Sequence, residues 1–156
     1  FKQSATVEHI LNFQYSTSSD VPRYDRLTQY RNGKLRFSEW YYGPQERLLA
    51  IYSLQKDKAF LNSYLEVNVA YQNVKESRHN RRFNNYNLQH NEENVDMFSV
   101  SLDLDKKFTK GELFYGFESY YETLKSTAYA NNINTGVVTD INTRYPNGDN
   151  NMMRND

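Results

Sequence analysis

The sequence predicts an all-β protein: an antiparallel up-and-down meander of about five strands. Three observations carry that reading. Apolar and polar residues alternate with a period of two over several stretches, as strands require when their two faces meet different surroundings. Aromatic residues reach 15% of the chain although hydrophobic residues make up only 38% and mean hydropathy is −0.91. The strand-like stretches are separated by polar segments that alternate between long and short. An α/β enzyme core needs more aliphatic side chains, and a disordered chain is short of aromatics. A half-wet sheet fits, as does a barrel with aromatic girdles and a polar lumen.

Thr6 to Ser16 is the first strand, with Val7, Leu11, Phe13 and Tyr15 on the face that also carries His9. Glu8, Asn12, Gln14 and Ser16 fall opposite, joined by one apolar residue, Ile10. Thr17 to Ser38 reads as a long polar loop containing the turn signal Asn32-Gly33. Glu39 to Leu54 is ambiguous, because Leu48, Ala50, Tyr52 and Leu54 are apolar and so are Leu49 and Ile51. A helix from about Gln45 to Gln55 competes with a strand there. Tyr41 and Tyr42 beside Trp40 suit an aromatic belt, or more plainly a strand end packed on a core.

After a charged link from Gln55 to Ala59, Leu61 to Lys75 forms the next strand. Leu65, Val67, Val69 and Tyr71 alternate there with Glu66, Asn68, Ala70 and Gln72. Glu76 to Glu93 reads as a second long polar loop. The clearest signal follows. Phe98, Val100, Leu102 and Leu104 share one face, and Met97, Ser99, Ser101, Asp103 and Asp105 the other. A turn within Lys107 to Glu112 leads to a second arm, where Leu113, Tyr115, Phe117 and Tyr121 oppose Gly116, Glu118 and Glu122. This is a β-hairpin. Tyr129 to Asp156, with the turn signal Tyr145-Pro146-Asn147-Gly148, reads as a third long loop with no further strand.

The charge balance, 19 basic against 19 acidic residues, gives no basic footprint for nucleic acid. The cluster Arg78-His79-Asn80-Arg81-Arg82 is local, and reads more simply as a solvated loop tip than as a phosphate patch. The absence of cysteine excludes disulfides, thiolate metal sites and cysteine nucleophiles. No apolar run approaches the ~20 residues of a membrane helix. Long loops at one end and short turns at the other are the layout of a bacterial outer-membrane barrel. About five strands do not close a barrel, and the chain opens on Phe1 rather than Met. The expectation is that residues 1–156 form part of a larger transmembrane barrel.

The run Asp20-Val21-Pro22-Arg23-Tyr24-Asp25-Arg26-Leu27, then Gly33-Lys34-Leu35, then Glu39-Trp40-Tyr41-Tyr42-Gly43-Pro44-Gln45-Glu46-Arg47-Leu48-Leu49 resembles the barrel of TonB-dependent outer-membrane receptors. The resemblance is to the branch found in Bacteroidetes-type bacteria and grouped with haem and siderophore receptors. It implies a 22-stranded transmembrane β-barrel in the bacterial outer membrane, filled by a plug domain. It implies TonB as the energy-relaying partner, outer-membrane lipid around the wall, and a small-molecule ligand such as haem or a siderophore. The Phe-Arg-Ala-Pro and Asn-Pro-Asn-Leu signatures of haem receptors are absent, as is a plug. These departures fit a middle piece of the barrel.

Arg23, Tyr24, Asp25 and Arg26 in the first long segment, and His79, Arg81, Arg82 and His90 in the second, are the candidate ligand-binding residues. Histidines in an outer loop are potential iron ligands; the plain alternative is two solvated loop residues. The Arg23–Arg26 stretch reads equally as a ligand or plug contact and as an ion-pair network fixing a loop. Glu118 with Glu122, and Asp103 with Asp105, read as a hydrated lumen wall rather than as an acid–base pair. No Gly-x-Ser-x-Gly, His-Glu-x-x-His or phosphate-binding glycine loop is present. The sequence offers no catalytic residue, metal site or resident cofactor. The alternatives to a TonB-dependent receptor are another outer-membrane barrel, a porin or glycan importer, or a soluble antiparallel β-domain that binds ligand through its aromatic face.

Overall fold

In the computed structural model, which describes residues 1–145 and 149–155, the chain is dominated by one antiparallel sheet. The strands of the chain are β1 (Lys2–Ser4), β2 (Val7–Thr17), β3 (Val21–Pro22), β4 (Tyr30–Arg31), β5 (Lys34–Leu35), β6 (Phe37–Tyr42), β7 (Glu46–Lys56), β8 (Tyr64–Arg82), β9 (Asn87–Phe108), β10 (Gly111–Asn132), β11 (Val138–Asp140) and β12 (Asp149–Asn155), of which β4 and β5 form a separate two-stranded sheet. One helical turn, α1 (Tyr24–Leu27), follows β3. The main order is β1-β2-β7-β8-β9-β10-β11.

Three pairs of short strands act as single lanes. β7 and β6 both pair with β8, at Leu65–Lys75 and Arg78–Arg82 respectively, so they lie end to end along it. β2 pairs with β7 while β3 pairs with β6. β12 and β11 pair with the lower and upper parts of β10. The meander therefore has six full lanes among the described residues, with the short β1 as a further strip outside β2, where the sequence predicts about five.

The lane formed by β6 and β7 is broken at Gly43-Pro44, whose peptide bond is cis. Gly43 has φ +107°, and a Cβ there would stand 2.7 Å from the Ser19 carbonyl oxygen. Only glycine fits both the left-handed backbone and the close approach of the neighbouring lane. Ser18 brackets the same break. Its N–H donates to the Gln45 carbonyl at 2.9 Å, and its Oγ accepts from the Gln45 N–H at 3.0 Å.

Several sequence expectations are corrected here. Glu76 to Glu93 is not a long loop, because β8 and β9 run through it and leave only residues 83–86 as the connection. Tyr129 to Asp156 is not a loop either. β10 reaches Asn132, and β11 and β12 follow; Pro146, Asn147 and Gly148 of the expected turn lie outside the described residues. The helix alternative over Gln45 to Gln55 is replaced by β7. Within Thr17 to Ser38, β3 and α1 precede a small hairpin, β4–β5, whose turn is Asn32-Gly33 with φ of 53° and 73°. That is the left-handed pair the dipeptide favours. The end asymmetry thus persists mainly as strand overhang: backbone ladders continue where the hydrophobic pattern stops.

Register fixes the two faces. Phe13, Ala50, Tyr71, Phe98, Tyr121 and Met153 form one row across the six lanes. Beneath it run Leu11–Tyr52–Val69–Val100–Ser119 and His9–Leu54–Val67–Leu102–Phe117. This apolar face is open: Leu11 is 83% exposed, Phe13 69% and Phe98 53%. The opposite face carries Asn12, Ser53, Asn68, Ser101 and Glu118. Ser53 Oγ bonds the Asn68 side chain, and Asn68 Nδ2 donates to Glu66 and to Ser101 Oγ, each at 3.3 Å. His9 is tied to the Tyr52 hydroxyl at 2.7 Å and to Gln3 at 2.8 Å, in keeping with a structural role.

Candidate functional site

Above the apolar rows the same lanes carry a different chemistry. At the rim, Tyr71 donates its hydroxyl hydrogen to Asp96 at 2.6 Å, and Asn73 donates to the same carboxylate at 2.8 Å. Two rows higher lies a cleft of about 460 Å³ lined by Glu46, Lys75, Ser77, His79, Glu92 and Lys125, among others. Lys75 pairs with Glu46 at 3.2 Å.

The next row is a ladder of rings, Tyr41–His79–His90–Tyr129, one from each of β6, β8, β9 and β10. Tyr41 stacks on His79 with centroids 4.7 Å apart, and Tyr129 stacks on His90 at 4.6 Å. The imidazoles meet edge to face, their Nδ1 atoms 2.7 Å apart. The far nitrogen of His79 lies 3.0 Å from the Gly43 carbonyl oxygen. Burial and the neighbouring His79 push the His90 pKa below the usual histidine value. Burial raises the phenols of Tyr41 and Tyr129. One row further out, Arg81 pairs with Glu39 at 2.6 Å.

On the other side of the same strand ends sits a second cluster. Arg23 forks onto Asp25 with two bonds of 2.7 Å and donates to the Tyr42 hydroxyl at 2.8 Å. Its guanidinium lies 5.3 Å from the Trp40 ring centroid, and that of Arg26 lies 5.9 Å away. Trp40 and Tyr42 meet edge to face at 4.9 Å. The fork from Arg23 holds the Asp25 carboxyl below the usual carboxylate range. Arg78, opposite Tyr42 in register, pairs with the buried Glu93 at 2.9 Å.

The structure thus gathers the predicted residues into two groups on opposite sides of one sheet end. Arg23, Asp25 and Arg26 meet around Trp40. His79, His90 and Arg81 lie on the reverse side. Tyr24 is exposed and stands apart, and Arg82 is exposed where β8 ends. Sequence reasoning missed Trp40 and Tyr42 as partners of Arg23, and Tyr41 and Tyr129 as partners of the histidines. The signal for the histidines was present. His79 and His90 are equidistant from a tight turn at residues 83–86, so a hairpin there places them opposite.

Among the described residues no group of three or more His, Asp or Glu is placed to hold a metal ion. Both clusters are built for polar and aromatic contact, and in the Arg23 cluster cations lie over ring faces. Comparison with protein families, with curated proteins and with solved structures found no match for this chain.

Proposed function

We propose that this chain is a stretch of wall from a bacterial outer-membrane β-barrel, of the type used by TonB-dependent receptors to admit an iron complex, haem or another scarce nutrient. One observation carries the reading: an exposed apolar band crosses the lanes, backed by a hydrogen-bonded polar face. On β10 the band runs from Leu113 to Tyr121, nine residues, at the short end of the ~9–11 that a tilted membrane strand needs. Water is a poor solvent for such a surface, and lipid is a good one.

The two edges of the sheet, β1 with β2 on one side and β12 on the other, do not pair with each other among the described residues. Lipid does not tolerate an open strand edge, so such a wall needs further strands on both sides. On this reading the polar face looks into a lumen occupied by a plug, and the Arg23–Trp40 cluster stands at its outer mouth to contact ligand or plug. The wall itself makes and breaks no covalent bond. Its part is shape, capture and containment, while TonB supplies energy through the plug.

Spin-label accessibility in the intact protein, reconstituted in lipid vesicles, tests this. Nitroxides at Val100 and Leu102 should respond to oxygen, which partitions into lipid. Labels at Ser101 and Glu118 should respond to a water-soluble nickel chelate. Nickel access at all four positions overturns the reading in favour of a soluble β-domain that offers its aromatic face to a ligand.

A further inference from the structure

The contacts of His79 and His90 fix where their protons are. A carbonyl oxygen only accepts, so the Nε2 of His79, bonded to the Gly43 carbonyl, carries hydrogen. In a neutral ring its Nδ1 is then an acceptor, and the proton between the rings belongs to His90 Nδ1. That leaves His90 Nε2 as a bare lone pair, and this atom is buried without a hydrogen-bond partner. The pair takes up one proton there without moving. A second must go to His79 Nδ1, which sets two N–H groups against each other at 2.7 Å.

The surroundings do little to offset this. Tyr41 of β6 and Tyr129 of β10 cover the rings with neutral phenols. On β8, Arg81 is paired with Glu39, and Lys75, paired with Glu46, lies two rows away. Lys125 of β10 lines the same cleft, and Asp140 of β11 stands opposite Tyr129 in register. Glu92 of β9, which accepts from the Tyr129 hydroxyl at 3.3 Å, favours a protonated His90. Burial and the charge of each ring on the other act against a doubly protonated pair. No third ligand completes a metal site among the described residues, so the chemistry of the pair is protonic.

The bond to Gly43 gives the pair something to hold. Gly43 follows the last residue of β6 at the lane break. Its N–H donates to the Ser77 carbonyl at 3.1 Å, and Ser77 Oγ donates to the Pro44 carbonyl at 3.2 Å. On its other side β6 carries Trp40 and Tyr42, against which Arg23 packs. We propose that the His79–His90 pair is a proton-operated latch: it holds the Gly43 end of β6 with up to one added proton, and the second proton releases that end together with the Arg23–Trp40–Tyr42 cluster.

Hydrogen–deuterium exchange of the intact protein at pH 7.5 and 4.0, normalised to intrinsic exchange rates, reads the latch directly. Amides 37–43 should lose about tenfold in protection on acidification, while 98–104 and 113–121 keep theirs. His90→Phe keeps a ring against Tyr129 but has no proton to share, and should abolish the pH response. Should His90→Phe not fold, His90→Gln serves the same comparison. Equal protection of 37–43 at both pH values in the unaltered protein overturns the latch. So does an undiminished pH response in the variant. The inference does not rest on the membrane reading: a sheet that failed the spin-label test would still show or lack this response.

Discussion

The two ends of the same strands reverse the usual relation between polarity and burial. In the lower half, Leu11, Phe13, Phe98 and Phe117 are exposed. In the upper half, His79, Glu93 and Ser126 are each under a tenth exposed, along with Ala128 and Ala130. Backbone pairing is continuous between the halves, with β8 and β9 in unbroken register from Tyr64↔Asp105 to Asn80↔Gln89. The difference therefore lies in side chains and surroundings, not in secondary structure. A ladder supplies hydrogen bonds wherever it runs; what each face needs from its solvent is set residue by residue. The lower half presents apolar side chains to its surroundings, and the upper half encloses specific polar contacts.

The largest expected effect breaks this comparison at the band. On the proposed barrel reading, Val100→Arg should lower the stability of the lipid-inserted protein by about 2–4 kcal/mol, the cost of a cation at mid-depth on a lipid-facing strand. Ser101→Arg, one residue along on the polar face, should cost well under half as much. Refolding titrations into lipid vesicles measure both, and equal losses would mean that the two faces meet the same solvent. An intermediate effect is expected at the lane break. Gly43→Ala forces a Cβ to within 2.7 Å of a backbone oxygen at φ +107° and should cost about 1–3 kcal/mol in denaturant titrations. At Gly33, with φ +73° and open space around it, alanine should cost about 1 kcal/mol.

The smallest effect concerns Asp25. Its folded pKa is depressed by Arg23, so its contribution is complete above the ordinary carboxylate value and is lost as pH falls through the lower folded one. Amide protection of residues 23–28 should decline from about pH 3.9 downward. In Asp25→Asn that acid-dependent step should be missing. A wild-type segment that stays protected at acid pH would show the fork onto Arg23 to be dispensable.

The lower half was legible because its alternation is a solvent pattern. Their alternation predicts Phe98 to Leu104 and Leu113 to Tyr121 as the arms of one hairpin, and they pair as such around a turn at Thr109-Lys110. The upper half was not legible for the same reason. From Glu76 to Arg82, and from Asn87 to Glu93, both faces carry charged and amide side chains, so period two leaves no hydrophobic trace. β11 and β12 are short and polar, and only pairing with β10 reveals them. The apolar residues on both sides of β7 blurred strand against helix; there Leu49 and Ile51 lie on the polar face, in register with Gln72 and Ala70. The ring ladder depends on four strands meeting in one row, a fact of register that no single segment contains.

The unbroken register of β8, β9 and β10 also governs which changes in chain length the protein can absorb. Deleting one residue within β9 would turn Ser99, Ser101 and Asp103 to the side now held by Phe98, Val100 and Leu102, and send those to the polar face. Along such strands the viable edits in length come in twos, or fall at the tips, at residues 83–86 and 109–110, where no partner strand counts the step. Over a lineage, this sheet is free to lengthen its hairpins at both ends, while the stretch between them is held to parity.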